Sequence, residues 1–227
     1  MKIKQLENLN PELVGWNDRI YEEHPTPYKG VAGMIEKARL RAVLDFAECQ
    51  PSDTVLEVGC EGGNLLSRLP DVRRIVGADI SRKALKDAQS RLENQECDAE
   101  FYQLDAQQSL PFPCGEFDVI ICSEMLEHVE NPRAVIENIH EIASNNTRIV
   151  LSVPIEAPKL LVKQFLRNIG LLGLIFPGIE QGQSEGHLHA FSAKKLLDLT
   201  TDLYQLQRSK NIWGIHYVVL LEKREVT

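Results

Sequence analysis

Short, nearly all-apolar segments alternate with helix-like segments through the middle of the chain. Residues 117–123 (FDVIICS) and 148–153 (RIVLSV) are apolar at almost every position, whereas residues 82–94 and 131–144 have the character of helices. Strands that are apolar along their whole length are typical of a parallel sheet covered on both faces. The alternation therefore predicts an α/β fold, with helices on both faces of the sheet.

The complete pattern predicts seven strands. They are residues 54–59 (TVLEVG), 74–80 (RIVGADI), 99–105 (AEFYQLD), 117–123, 147–154, 204–212 (YQLQRSKNI) and 216–225 (HYVVLLEKRE). One helix is predicted from about Asn64, after a glycine turn, and another after Ser192, which is its expected cap. A tight Trp-Gly turn between the last two strands is typical of an antiparallel pair at a sheet edge. The pattern thus predicts a doubly wound, mostly parallel sheet with an antiparallel C-terminal strand.

The polar N-terminal segment lies outside this alternation. Residues 1–35 carry only scattered aromatic residues, and we interpret them as an arm or cover in front of the main domain at 36–227.

A lid-like insertion at residues 155–190 also interrupts the pattern. Within it, Lys159, Lys163 and Arg167 would form one basic stripe along an otherwise apolar helix. Such a helix fits a lid or a dimer contact packed on the domain. The alternative is a peripheral membrane contact through residues 159–176.

Composition and charge narrow the classes of function. The chain has 227 residues, 43% of them hydrophobic, which is enough for one substantial core. Its net charge of −8 disfavours a surface that grips long nucleic acid, so we expect no DNA partner. The five cysteines form no Cys-x-x-Cys pair, and the N-terminus has no apolar stretch of signal-peptide length. We therefore expect reduced thiols and a cytoplasmic protein, either a monomer or a homodimer.

Polar residues follow the predicted strands at their carboxyl ends, where a doubly wound sheet binds its ligand. Glu57 and Gly59 end the first predicted strand, Asp79 the second, Asp105 the third and Ser123 the fourth. Glu57 and Asp79 are 22 positions apart, about the spacing at which a second-strand acid reaches ribose hydroxyls. Asp79 is therefore a candidate ribose clamp, although a lone Asp at a helix start can also be a simple cap.

Glu61 lies within the glycine turn and limits which kinds of ligand the turn can bind. A dinucleotide site holds a pyrophosphate at this turn, and a carboxylate there would repel it. A ligand with a ribose, no phosphate and a positive charge near the turn fits better. S-adenosylmethionine, which has an adenosine, a sulfonium and an ammonium, is such a ligand.

Four motifs in order resemble the class I S-adenosylmethionine-dependent methyltransferases. They are VLEVGCEGG (55–63), VGADIS (76–81), LDAQQSLPF (104–112) and FDVIICSEMLEHVENP (117–132), and the resemblance covers roughly residues 40–155. It implies a Rossmann-like sheet and a set of cofactor-binding residues. Those at the methionine end are Glu57, Gly59, Cys60 and Ser123, and those at the ribose and adenine are Asp79, Ile80, Asp105 and Ala106.

The chain departs from the family pattern at the turn. The family has acidic-x-Gly-x-Gly-x-Gly, whereas this chain has Glu57, Gly59, Glu61 and Gly63. Either Glu61 points to solvent and only the two glycines matter, or it pairs with the ammonium of the ligand. We favour the first reading, because a side chain so near the ligand would need room.

The motif SEMLEHV supplies candidate chemistry for the methyl acceptor. On a helix, Glu124, Glu127 and His128 would share one face and could bind a divalent cation, with His187 or His189 as a further ligand. The arrangement resembles two metal-assisted branches of the family, the quinone-biosynthesis O-methyltransferases and the small-RNA 3′-terminal ribose methyltransferases. Without a metal, Glu127 and His128 complement a helix start or line the acceptor pocket. The catalytic candidates are then His128, Glu124 and His189, and the general base is His128 or one of His187 and His189.

These features predict a methyltransferase for a small-molecule acceptor, at a hydroxyl of an apolar or lipid-like metabolite. Residues 123–126 (SEML) lack the Asn/Asp-Pro-Pro-aromatic signature of family members that methylate planar nitrogens. The alternatives are an RNA 3′-terminal ribose 2′-O-methyltransferase and a non-catalytic S-adenosylmethionine-binding module. A dinucleotide oxidoreductase is disfavoured by Glu61.

Overall fold

The computed structural model describes residues 3–6, 9–23, 30–93, 95, 97–155 and 187–224. These residues form one mixed sheet with helices on both faces. The strands are β1 (Ile3–Gln5), β2 (Thr54–Val58), β3 (Arg74–Asp79), β4 (Asp98–Gln103), β5 (Val119–Ser123), β6 (Arg148–Pro154), β7 (Tyr204–Ile212) and β8 (His216–Lys223). The helices are α1 (Pro11–Glu23), α2 (Gly30–Ala47), α3 (Arg82–Leu92), α4 (Pro132–Ile142) and α5 (Ala193–Thr200).

The sheet order is β1-β4-β3-β2-β5-β6-β8-β7, which confirms the doubly wound prediction. All neighbouring strands are parallel except β8, which runs antiparallel to both β6 and β7. The sheet has eight strands rather than the predicted seven, because β1 in the N-terminal arm pairs with β4. This short strand satisfies backbone groups that would otherwise lie at an open edge.

Two apolar layers bury the sheet. Alternate residues of β2 belong to opposite layers: Val55 packs with α2 and α3, whereas Leu56 packs with α4 and α5. Ser192 caps α5, with its Oγ accepting a hydrogen bond from Lys195 N, as predicted. The β7–β8 turn has positive φ at Trp213 (52°), which favours a tight antiparallel hairpin.

The predicted helix from about Asn64 is wrong. Only a single 3-10 turn forms there, at Leu66–Arg68, and Leu69 before Pro70 is already extended with ψ of 145°. Few residues separate Gly63 from Pro70, and a residue before proline disfavours helix, so an α-helix cannot nucleate. The glycine turn therefore has no α-helix N-terminus behind it to hold a phosphate.

The prediction that Glu124, Glu127 and His128 share one helix face is also wrong. Glu124 has a φ of 54°, so the chain turns sharply after β5 and residues 126–128 form a turn. Helix α4 begins only at Pro132, with the Asn131 side chain accepting a hydrogen bond from Ala134 N as its cap. Glu124 consequently does not join the cluster of ligand atoms that Glu127 and His128 form with His187.

Most of the insertion, including Lys159, Lys163 and Arg167, lies outside the described residues, as does the predicted contact segment 159–176. Among the helices that the structure describes, none has the length and apolarity that crossing a bilayer requires.

Candidate active site

A crevice opens above the carboxyl ends of β2 and β5, where the strand order reverses. It consists of two adjoining cavities, of about 340 and 390 Å³. We call them the polar half, whose walls include Glu36, Arg39, Glu57, Ser123 and Glu127, and the apolar half, whose walls include Leu13, Ile80, Leu104, Ala106 and Val129. Gly59, Asp79, Met125 and His128 border both halves, so one elongated ligand can occupy the two together.

The glycine turn forms the floor of the crevice. Gly59 has a φ of 75°, and a Cβ there would lie 2.5 Å from Met125 Cγ, so only glycine allows this approach. Glu61 keeps the left-handed conformation with a φ of 49°, although it stands where the family has glycine. Its side chain is exposed at the border of the polar half. Gly63 lies behind the turn, where a Cβ would meet Ala88 Cβ at 2.9 Å.

Asp79 is held rigidly at the boundary between the halves. Its Oδ2 accepts a hydrogen bond from Glu61 N (2.9 Å) and its Oδ1 accepts one from Ser81 N (2.8 Å). Burial raises the pKa of the carboxyl group, and the two backbone N–H groups oppose that shift. Because each carboxylate oxygen can accept a second hydrogen bond, Asp79 can still bind two neighbouring hydroxyl groups.

Glu57 is a buried acid in the polar half. Its side chain is 4% exposed, and Oε2 has no hydrogen-bond partner among the described residues. Burial raises the pKa of Glu57 well above its usual value, and Arg39 opposes this shift. A buried carboxylate oxygen that lacks a hydrogen-bond partner favours a cationic ligand group over a neutral or anionic one.

Arg39 is a site residue that the sequence analysis did not find. It lies on α2 and is 7% exposed; its Nε donates to Glu36 Oε2 (3.0 Å), and its Nη2 and Nη1 donate to Glu36 and Ser123. A guanidinium has five N–H donors, so these three bonds leave two for a ligand. In the sequence, Arg39 stands between Lys37 and Arg41, and only its buried helical position distinguishes it.

Helix α1 covers the polar half. Its residues Trp16 and Tyr21 line the crevice, and Tyr21 Oη donates to Asp87 of α3 at 2.8 Å. Asp18 accepts a hydrogen bond from Ser81 Oγ at 2.6 Å, which joins α1 to the start of α3 beside Asp79. The amphipathic arm thus contributes walls to the site that no motif marked.

The apolar half collects the residues that follow β3 and β4. Ile80 and Ala106 supply apolar walls, and Asp105 supplies the polar group at the edge. Asp105 Oδ1 accepts a hydrogen bond from Gln107 N (3.0 Å), and Asn138 Nδ2 donates to Ala106 O (2.9 Å). These bonds fix the loop after β4 against α4.

Three acceptor-side groups converge where the halves meet. Glu127, His128 and His187 each offer a ligand atom, and these atoms lie within 4.8 Å of one another. His189 is not among them, because its Nε2 lies 3.0 Å from the Glu130 carbonyl oxygen. Glu124 is also apart from the group, and its carboxylate lies 2.8 Å from His216 Nδ1. Of the expected metal set Glu124, Glu127, His128 and His189, the structure brings together Glu127 and His128, and it adds His187.

A family model described as "Methyltransferase domain" matches residues 33–202, more than half of the chain. The chain belongs to the methyltransferase-domain family. The expected membership among class I S-adenosylmethionine-dependent methyltransferases, and the expected cofactor, are confirmed.

Several relatives of this methyltransferase carry the name ubiquinone biosynthesis O-methyltransferase. The protein from Pseudomonas paraeruginosa is 29% identical over 160 residues, which cover 70% of this chain and 57% of the relative. The protein from Thiobacillus denitrificans is 41% identical over 103 residues, covering 45% of this chain and 44% of the relative. The methyltransferase spans about half the length of the curated relatives it matches.

Solved structures share the fold. The N-methyltransferase NodS from Bradyrhizobium japonicum, in complex with S-adenosyl-L-homocysteine, superimposes with a TM-score of 0.66 at 16% identity. The match covers 92% of this chain and 98% of NodS. At this level of identity the comparison supports the architecture of the methyltransferase, and the roles of individual residues rest on their own geometry.

Proposed function

We propose that this methyltransferase transfers the methyl group of S-adenosylmethionine to a hydroxyl group of a small apolar molecule. The observation that carries the proposal is the two-part crevice with Glu127, His128 and His187 at the junction of its halves. The curated relatives named as O-methyltransferases of ubiquinone biosynthesis support a hydroxyl on a quinone precursor as the acceptor.

The crevice accommodates the cofactor in one orientation. The adenine lies in the apolar half against Ile80 and Ala106, and the Asp79 carboxylate accepts hydrogen bonds from the ribose hydroxyls. The methionine end extends into the polar half, where the two remaining N–H groups of Arg39 bind its carboxylate. The ammonium then lies near the unpartnered oxygen of Glu57, which offsets the burial of that carboxylate.

This orientation places the sulfonium beside His128, which borders both halves. Methyl transfer is an in-line displacement, so most of the rate comes from holding the acceptor oxygen behind the methyl carbon. An acceptor hydroxyl loses its proton as the oxygen attacks, and His128 or His187 is within the site to take it. The buried Glu127 carboxylate, 1% exposed, stabilises the imidazolium that results.

The same three side chains fit a divalent metal. One carboxylate and two imidazoles with ligand atoms within 4.8 Å of one another suit a first-row transition metal, and the buried Glu127 carboxylate would be the anionic ligand. When bound by Glu127, His128 and His187, such an ion would lower the pKa of an acceptor hydroxyl nearby. Proton removal by the imidazoles and metal assistance are therefore alternative uses of one cluster.

A turnover assay tests the proposal. The protein is incubated with S-adenosylmethionine and a catechol that carries an apolar tail, with and without a chelator, and methylated product is measured by mass spectrometry. We expect a mono-O-methylated product, and we expect His187→Ala to lower kcat about a hundredfold, the usual effect of losing an acid–base group.

The matched control is His189→Ala, since the His189 ring is bonded to the Glu130 carbonyl and should leave kcat unchanged. Cofactor binding without methylation of any hydroxyl acceptor would favour a non-catalytic module. Product from short RNA ends, but not from the catechol, would favour the ribose 2′-O-methyltransferase.

A further inference from the structure

We propose that Glu124 and Ser152 are positioning residues that fix the Arg39 guanidinium for the carboxylate of the cofactor. The inference rests on the proposed placement of that carboxylate at Arg39. It assigns Glu124 a role different from the catalytic and metal-binding roles that its sequence motif suggested.

A continuous chain of hydrogen bonds joins Arg39 to Glu124 across the ends of two strands. Arg39 Nη1 donates to Ser123 Oγ, and Ser123 Oγ lies 2.8 Å from Ser152 Oγ. Ser152 Oγ in turn donates to Glu124 Oε1 at 3.1 Å. The register explains the serine pair, because Ser123 of β5 stands directly opposite Ser152 of β6.

Arg39 and Glu124, at the two ends of this series of hydrogen bonds, fix the direction of donation along it. A guanidinium can only donate and a carboxylate can only accept, so each hydroxyl accepts from the Arg39 side and donates toward Glu124. The Glu124 carboxylate therefore acts as the distant counter-ion of the buried guanidinium. Because Ser152 is 0% exposed and Ser123 is 8% exposed, water does not compete effectively for these bonds.

Both oxygens of Glu124 are engaged in this arrangement. Oε1 accepts from Ser152, and Oε2 lies 2.8 Å from His216 Nδ1, a close electrostatic contact whose direction departs from an aligned hydrogen bond. The backbone is held as well, since Glu124 N donates to Ser152 O at 3.0 Å. These contacts join the Glu124 carboxylate to Ser152 of β6 and His216 of β8.

The backbone of Glu124 indicates that its orientation is enforced. A φ of 54° is unfavourable for a residue other than glycine, and the surrounding contacts must offset that penalty. The left-handed conformation turns the side chain out of the line of β5 and onto Ser152. A regular continuation of the chain would break the hydrogen-bonded path to Arg39.

Fixing Arg39 matters because its side chain is long and has many rotamers. Glu36 holds one edge of the guanidinium, and the Ser123–Ser152–Glu124 chain holds Nη1. With these anchors the two free N–H groups are presented in one direction, so little rotamer entropy is lost when a carboxylate binds.

Calorimetry with three ligands tests the inference. S-adenosylmethionine and S-adenosylhomocysteine carry the carboxylate, whereas 5′-deoxy-5′-methylthioadenosine lacks both the amino and the carboxyl group of the methionine. We expect Ser152→Ala and Glu124→Gln each to raise Kd for the first two ligands about tenfold, an interaction of about 1.4 kcal/mol. The Kd of methylthioadenosine should not change, which a general loosening of the fold would not predict.

A double variant and a matched control complete the experiment. Ser152→Ala with Glu124→Gln should be no weaker a binder than Ser152→Ala alone, because Ser152→Ala already removes the hydroxyl through which the Glu124 charge acts on Arg39. Thr147→Val removes another 0%-exposed hydroxyl from the opposite end of the β6 segment, and it should leave all three Kd values unchanged.

The outcomes separate the two proposals. Unchanged Kd values in Ser152→Ala and Glu124→Gln, or an equal loss for methylthioadenosine, would overturn the positioning role. If Arg39→Met itself leaves the Kd of S-adenosylmethionine unchanged, the placement of the carboxylate at Arg39 is wrong, and the proposed cofactor orientation fails first.

Discussion

The two halves of the crevice are assembled in different ways. Walls of the apolar half come from residues that directly follow β3 and β4, such as Ile80 and Ala106. The polar half depends on side chains from distant elements, including Arg39 of α2 and Tyr21 of α1. The apolar half is formed mainly by residues that follow two neighbouring strands, with Leu13 and Trp16 of α1 added, whereas the polar half requires α2 to pack on the sheet. In the proposed orientation of the cofactor, the same division separates recognition of the adenosine from recognition of the amino acid.

Asp79 belongs to both halves, and its loss should have the largest effect. Asp79→Ala removes the ribose acceptor and the partner of Glu61 N and Ser81 N. At about 2 kcal/mol for each of two charge-assisted hydrogen bonds, Kd for all three adenosine ligands should rise about a thousandfold. Calorimetry measures this change, and the exposed Asp98→Ala on β4 is the control. A loss below about tenfold would remove Asp79 as the ribose clamp.

Arg39→Met should weaken only the binding of ligands that reach the polar half with a carboxylate. Loss of a buried cation that binds a carboxylate should raise Kd for S-adenosylmethionine and S-adenosylhomocysteine about a hundredfold. Methylthioadenosine should bind as before. Arg41→Met, an exposed position on the same helix, is the control. Equal weakening of all three ligands would show that Arg39 supports the fold rather than the carboxylate.

Ile80→Ala should weaken binding at the apolar half, where all three ligands place their adenine. Losing most of an apolar side chain from the adenine wall should raise Kd for all three ligands by about the same factor, close to tenfold. The exposed Leu206→Ala on β7 controls for a loss of apolar surface elsewhere. A selective effect on the ligands that carry the carboxylate would reverse the assignment of the two halves.

Glu57 should make the stability of the ligand-free protein depend on pH. Burial raises the folded-state pKa of Glu57 above its ordinary value of 4.5. The contribution of Glu57 to the unfolding free energy is therefore greatest below pH 4.5. That contribution is lost as the pH rises through the folded-state pKa. Glu57→Gln should remove a dependence of up to about 1.4 kcal/mol per pH unit in that window.

Urea unfolding of both proteins from about pH 5 to about pH 8 measures the difference. If the unfolding free energy of the wild type rises relative to that of Glu57→Gln over this range, burial does not raise the pKa of Glu57 in the polar half.

Glu61→Gly should have the smallest effect of these substitutions, and the effect should be on the free energy of unfolding. Glycine removes the penalty of a left-handed conformation, so the unfolding free energy should rise by about 1 kcal/mol, less the entropy that glycine loses on folding. Because the Glu61 side chain is exposed, Kd for S-adenosylmethionine should not change. A clear loss of affinity in calorimetry would instead make Glu61 a partner of the ammonium.

The sequence predicted the part of the fold that is encoded by short apolar strands and their terminal residues. The parallel sheet, its antiparallel C-terminal strands and the positions of Asp79 and Asp105 could all be derived in this way. The family motifs added the cofactor, and the comparisons confirmed it.

The features of the site that the sequence did not predict depend on long-range packing or on single backbone angles. Arg39 looks like its exposed neighbours until α2 is packed, and Glu124 was placed on a helix face because its positive φ cannot be read from SEMLEHV. The same turn separates Glu124 from Glu127, and the bond of His189 to Glu130 leaves His187 as the third member of the cluster. The predicted helix after Gly63 failed because Pro70 follows too closely.

Titration of the unmodified protein tests the central claim most directly. Calorimetry is run in turn with S-adenosylhomocysteine, methylthioadenosine and NAD. We predict that S-adenosylhomocysteine binds one molecule per chain, that methylthioadenosine binds more weakly, and that NAD gives no binding heat because its pyrophosphate would meet the acidic polar half. Binding of NAD without binding of S-adenosylhomocysteine would contradict the account.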